Sequence, residues 1–277
     1  MVNNSNHDEK GDICPKWKAC SVILTFVGFM MINLAAAQHK AQSATQHDSL
    51  VVLINSTRSR EKVEHIKNFV ELYYKLQPEE TIDHGLVGIN LALALNDQKS
   101  VNTINYYLGV SHRMLGNIKE AKHLFLGLLK DSTNLETEFI QNVRNRLILL
   151  YLSQRKNDSV RYHIQKALRQ AHKENDSFRI RTALNKLGIS YQQEGKYLKS
   201  LEVFDTLQKY CQGTTMDCKI AIGQKATSLY NLGRTIEALE LMLELRNYSL
   251  NNEQLYHVAA LDHHIGYALK RAGHFSY

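Results

Sequence analysis

The chain has 277 residues, of which 44% are hydrophobic; this is enough to bury a core and too much for a disordered polymer. Thirty-four Lys and Arg exceed 27 Asp and Glu, for a formal net charge of +7. These bases form no run of five or six, so the pattern is that of solvated helix surfaces and lacks the basic arm typical of nucleic-acid binding.

At the N-terminus, Lys16-Trp17-Lys18 precedes an uncharged stretch from Cys20 to Ala37 that closes on three alanines before Gln38. A basic flank, an apolar run and a small-residue end make a secretory signal, so residues 1–37 are expected to be a cleaved leader. The stretch also approaches the lower length limit of a spanning helix, and an uncleaved anchor over residues 20–37 is the alternative. The protein is accordingly expected to be exported to the periplasm, or held at the inner membrane by that anchor. Either location argues against a nucleic-acid partner. Residues 38–58 read as a polar tether or, through the apolar patch at Leu50 to Ile54, a frayed first helix.

From Ser59 a helical period begins. Val63, Ile66, Phe69, Val70, Tyr73 and Leu76 lie three or four apart until Pro78, which is expected to stop the helix. Thr81 to Leu95 supplies a second helix, and Asn96-Asp97-Gln98 a turn. Beyond it, pairs seven residues apart recur: Gly109 with Gly116, Leu150 with Asn157, Gly188 with Gly195, Ala226 with Gly233, and Gly266 with Gly273, at intervals of 41, 38, 38 and 40. A period in this range signals a stacked array of helical hairpins, because one hairpin cannot bury its apolar face without a neighbour.

Within the period, Leu108, Gly109, His112, Gly116, Ala121 and Phe125 have the same spacing as Leu187, Gly188, Tyr191, Gly195, Ser200 and Phe204. Gly233, Ala238 and Met242 repeat the second half. Small residues fall where two helices approach, and large ones fill the space beside them. The third unit departs, with Leu150, Asn157 and Tyr162 in place of Gly, Gly and a small residue.

This arrangement resembles the tetratricopeptide repeat (TPR). The resemblance implies an all-α fold, a right-handed α-solenoid of about five and a half hairpins over residues 59–277. Units are expected at about 59–98, 102–141, 143–179, 181–216 and 219–255, with a half unit at 259–277. They are longer than the family's standard 34 residues and lack its Trp and its closing Pro. Long-period arrays of this kind are similar to those on the sensor side of bacterial membrane histidine kinases and transcription regulators.

The resemblance further implies that the first helix of each hairpin lines a concave groove. Carried over position by position, the groove candidates are Tyr106 and Arg113, then Arg144, Tyr151 and Arg155, then Asn185 and Gln192, then Thr227 and Tyr230, and last His263, Tyr267 and Lys270. Tyr and Arg suit an interface, and the mixture suits an extended peptide or partner helix bearing acidic groups. The family's Lys and Asn clamp for a terminal carboxylate is not reproduced, since Ile189 stands where a second Asn is wanted.

Cys211 and Cys218 flank a short polar segment and form a candidate disulfide in an exported chain; free thiols or half a zinc site are the other readings. Thirteen His raise the question of metal, but in the densest group, His257 with His263 and His264, His263 points away from the other two and no acidic residue stands at i+4 to complete a ligand set. No metalloprotease, phosphate-loop or serine-hydrolase motif occurs, so neither catalysis nor a cofactor is expected. Ile265 and Gly266 begin a further unit that breaks off at Tyr277, which reads as a truncated longer protein, or as an unpaired capping helix that Lys270 and Arg271 would suit. The expected function is an exported, non-catalytic scaffold for a protein or peptide. The alternative is the truncated periplasmic sensor region of a membrane signalling protein.

Overall fold

The computed structural model describes residues 45–130, 135–211 and 215–273, and every regular element among them is helical. Helix α1 covers residues 45–56. It is followed by α2 (Ser59–Tyr73), α3 (Pro78–Ala94), α4 (Gln98–Met114), α5 (Ile118–Lys130), α6 (Thr137–Ser153) and α7 (Asn157–Lys173). Then come α8 (Ser177–Gln193), α9 (Tyr197–Gln208), α10 (Met216–Asn231), α11 (Thr235–Asn251) and α12 (Leu255–Arg271). The expected leader and the Ala37–Gln38 junction lie outside the described residues. Among the described residues no helix is long and apolar enough to cross a membrane.

Local chemistry sets the helix ends. Asp97 caps α4 by accepting from the Ser100 amide at 3.1 Å, and Asp176 caps α8 by accepting from the Arg179 amide at 2.9 Å. Pro78 opens α3 at its first turn, where a missing amide hydrogen costs nothing; it does not end α2, which stops at Tyr73. At seven of the connections between helices the chain turns through one residue in the left-handed region: Asn96, Gly116, Arg155, Asn175, Gly195, Gly233 and Glu253. At each, the next amide reaches back to a carbonyl in the preceding last turn, as Asn117 does to His112 at 2.8 Å and Lys156 to Tyr151 at 2.9 Å. This is the Schellman closure, and it explains why three residues are enough to reverse the chain.

The left-handed residue also fixes the repeat's phase. In the third hairpin it is Arg155, two residues before the expected Asn157, which instead opens α7. Counting from Arg155, Ile148 occupies the place of Gly109 and Gly188, Val160 that of Ala121 and Ser200, and Ile164 that of Phe125 and Phe204. All three are fully buried, whereas Tyr162 is 53% exposed. The physical reason is compensation. A Cβ added at Gly188 would lie 2.4 Å from Phe204, and at Gly109 2.7 Å from Phe125, so a large ring demands a glycine opposite. In the third hairpin two isoleucines share the same volume.

The hairpins α4–α5, α6–α7, α8–α9 and α10–α11 start at Gln98, Thr137, Ser177 and Met216, and α12 at Leu255, ahead of the expected 102, 143, 181, 219 and 259. The first helices extend further toward their N-termini than the family's length implies. Of the two readings of residues 38–58, the first-helix one describes residues 45–56, which are helical, with Ile54 2% exposed against Ile66, Phe69, Val70 and Tyr73. His47 on α1 bonds Glu80 at 2.9 Å and meets the Tyr73 ring edge-on at 5.1 Å.

The core is a string of clusters, each shared by neighbouring hairpins. Successive first helices also pack on one another, α2 on α4, α4 on α6 and α8 on α10, while no two successive second helices pack as closely. The first helices therefore form the inner, shorter-radius layer of a curved stack.

Candidate functional site

One step of the inner layer is held by Tyr106 on α4, Asn145 on α6, Asn185 on α8 and His263 on α12, each at the same distance before its hairpin's left-handed turn. The next residue along, Arg146 or Lys186, reaches back to the previous helix. Arg146 Nε donates to the Tyr106 hydroxyl at 2.9 Å, and its guanidinium lies 5.6 Å from that ring's centre. Lys186 Nζ donates to Asn145 Oδ1 at 3.0 Å. Beside it, Asn185 Oδ1 is buried without a partner.

Among the described residues neither Arg146 nor Lys186 has a carboxylate within ion-pair distance, although Arg161, Arg179 and Arg181 each hold at least one. The Lys186 ammonium is half-buried; desolvation, and then the charge of Arg146, push its pKa down to about 8. Two adjacent cations lined by phenol and amide groups, with no internal counter-charge, are arranged to receive an anion.

Further along, a cleft of about 330 Å³ opens between α10 and α12. It brings together Thr227, Tyr230, His263 and Tyr267 with Asn231, Met242 and His264. Tyr267 is 58% exposed, and His263 meets its ring edge-on at 4.8 Å. The Arg271 guanidinium lies 4.7 Å from the centre of the Tyr230 ring and donates to that residue's carbonyl at 3.0 Å. Lys270 is exposed on the last turn of α12.

The remaining candidates separate. Arg113 is half-buried at the end of α4, with Nε unpartnered. Gln192 joins two hairpins, donating to the Gln224 carbonyl at 2.8 Å and to Ser228 Oγ at 2.9 Å. Arg144, Tyr151 and Arg155 are corrected. Arg155 is the left-handed turn residue. Tyr151 is buried and stacks on His163 of α7, and Arg144 lies toward Tyr162 and Arg169 of α7, both on the outer side of α6. The two-residue phase error set these three in the groove in place of Asn145, and Arg146, like Lys186, stands one residue past the position the family pattern reads.

Residues 137–173, the α6–α7 hairpin, contain eight Lys or Arg and two acids, a surplus of six in a chain whose net charge is +7. The unit that departs most from the repeat pattern is therefore also the electropositive centre. Cys211 and Cys218 are joined by a disulfide, with Cα atoms 6.0 Å apart. Arg181 of α8 holds both ends of that short ring, pairing with the Asp217 carboxylate and donating to the Tyr210 carbonyl at 3.0 Å. Among the described residues no group of three or more His, Cys, Asp or Glu is placed to hold a metal ion.

No family model and no curated protein matches the chain. Solved structures do. A Podosopora anserina kinesin light chain of nearly identical TPR-like repeats superposes with TM-score 0.60 at 14% identity, over 70% of this chain and 97% of that one. NprR in complex with its cognate peptide NprX superposes with TM-score 0.57 at 15% identity, over 89% of this chain and 77% of that one. With its paired helices, Schellman turns and curved inner layer, the chain folds as a TPR-type α-solenoid.

Proposed function

We propose that the chain is a non-catalytic scaffold whose inner face binds an extended polypeptide segment, with an acidic group of that segment seated at Arg146 and Lys186. The observation that carries this reading is the half-buried, carboxylate-free cation pair on the inner layer. Such a pair disfavours the empty groove and is relieved by a bound anion. The α10–α12 cleft, with Tyr230 and Tyr267, offers apolar surface and hydrogen-bonding ends to the same ligand further along. A similar fold that carries a peptide, NprR with NprX, supports the class of ligand.

Selection of binders from a random peptide library against the whole chain tests it. Recovered peptides are expected to share an Asp or Glu and to lose at least tenfold in affinity against R146M or K186M. Binders whose affinity is indifferent to both substitutions would overturn the reading.

We also propose that the protein is exported. The leader pattern before Gln38 and the Cys211–Cys218 disulfide support an oxidising compartment. Mass spectrometry of the secreted chain is expected to find Gln38 at the N-terminus; a protein found only in the cytoplasm with Met1 retained would refute export.

A further inference from the structure

The α6–α7 hairpin carries its surplus charge on two faces, and the inner groove accounts for only one. On the outer face the Tyr162 ring stands exposed, with Lys166 Nζ 4.4 Å from its centre. The Tyr162 phenol is held below its usual range by its hydrogen bond and charge interaction with Lys166, then by the charges of Arg144 and Arg169. Lys166 of α7 thus stands over the exposed ring, and the charges of Arg169 on α7 and Arg144 on α6 act on the same hydroxyl.

Nothing in the hairpin neutralises them. Among the described residues Arg144, Lys166 and Arg169 have no carboxylate within ion-pair distance, and the one acid of α7, Asp158, pairs with Arg161, which also holds Glu194. Arg144 is half-buried; it donates to Gln141 Oε1 at 3.3 Å through Nη1, and its Nε has no partner. Next to it His163 is buried on the Tyr151 ring with Nδ1 unpartnered. A half-buried arginine feels less screening than a surface one, so an incoming anion gains more from it.

The charge count selects the ligand. A carboxylate brings one negative charge, whereas a phosphoryl group brings about −1.5 to −2 at pH 7, with three acceptor oxygens that suit the planar fork of arginine. We propose that the outer face of the α6–α7 hairpin, at Arg144, Lys166, Arg169 and the Tyr162 hydroxyl, is a binding site for a phosphoryl group, carried by a soluble phosphate ester or by a lipid headgroup. The site lies on the opposite side of α6 from the inner groove and does not depend on what the groove holds.

The test is a titration of the full chain with inorganic phosphate, followed by NMR at the Tyr162 ring and the His163 imidazole. Acetate and chloride are run at matched ionic strength. Phosphate is expected to give a saturable shift that weakens at least tenfold in R144Q/R169Q and, separately, in K166M. Unchanged helical circular dichroism and unchanged Tyr230 and Tyr267 signals establish that the variants are folded. Identical curves with acetate or chloride, or wild-type phosphate binding in both variants, overturn the proposal. Co-sedimentation with phosphatidylcholine vesicles containing phosphatidic acid separates the sources. Sedimentation lost in R144Q/R169Q assigns a lipid headgroup, and its absence alongside a normal phosphate titration assigns a soluble ester.

Discussion

Lys186 of α8 donates to the side-chain oxygen of Asn145 on α6 at 3.0 Å, linking one hairpin to the one before it while its positive charge goes unanswered. Removing that charge is expected to separate stability from binding. K186M should weaken acidic peptides at least tenfold and leave stability unchanged or raised by about 1 kcal/mol, because a desolvated, unpaired cation is costly. Its pH signature is specific. Between about 8 and the ordinary lysine value of 10.5 the unfolded chain binds the proton that the folded chain has released, so this group makes stability rise with pH across that window. Urea titrations of wild type and K186M should diverge there; parallel curves would mean that the ammonium is well solvated.

His163 supplies an acid-side counterpart. Burial first, and then Arg144 and Lys166, lower its pKa from 6.5 to about 4. The stability this contributes is complete above 6.5 and is lost as pH falls toward 4, by up to about 3 kcal/mol. H163Q should remove the acid sensitivity between those limits, as read by denaturant midpoints at pH 4.5 and 7.

Gly188 tests the helix crossing. Because its Cβ position falls 2.4 Å from Phe204, Gly188→Ala should cost about 1 to 3 kcal/mol despite the better helix propensity of alanine. Nothing lies within 4 Å of the corresponding point at Gly127, so Gly127→Ala should gain up to about 1 kcal/mol. Equal effects at the two sites would contradict the crossing geometry.

Arg155 holds a φ of 54° that glycine adopts without strain. Arg155→Gly should therefore be neutral or stabilising by up to about 1 kcal/mol, with peptide affinity unchanged because the side chain lies outside the groove. A loss of affinity would return Arg155 to the binding face.

The Cys211–Cys218 ring closes only a short loop, and the chain-entropy argument gives it about 2 to 3 kcal/mol. Thermal melts with and without reductant should show that difference. Alkylation of both thiols in the unreduced native protein would rule out the bond.

How much of this was legible in the sequence depended on how each hairpin filled its crossing. Where glycine faces a phenylalanine, as at Gly109 and Gly188, the period is visible, and Tyr106, Asn185, Thr227, Tyr230, His263 and Tyr267 follow from it. Where Ile148 and Ile164 divide the same space, no small residue marks the place, and the turn residue is an arginine. The phase slipped there by two, which turned attention to Arg144 and Tyr151 and away from Asn145. Arg146 and Lys186 were passed over because the family pattern looks at the residue beside each. Helix α1 stayed open beside a tether for another reason: its few apolar residues, Leu50 to Ile54, become a helix face only against the Phe69 and Tyr73 rings, a contact that local pattern does not contain.

Placing nearly all of the surplus charge on one central hairpin also governs encounter. The attraction reaches about 10 Å at about 0.1 M salt, and further in dilute buffer, and draws an acidic chain toward the middle of the rod before either end is touched. Association speed should then fall steeply as salt is added, while the lifetime of the complex follows the uncharged contacts reached afterwards on either side.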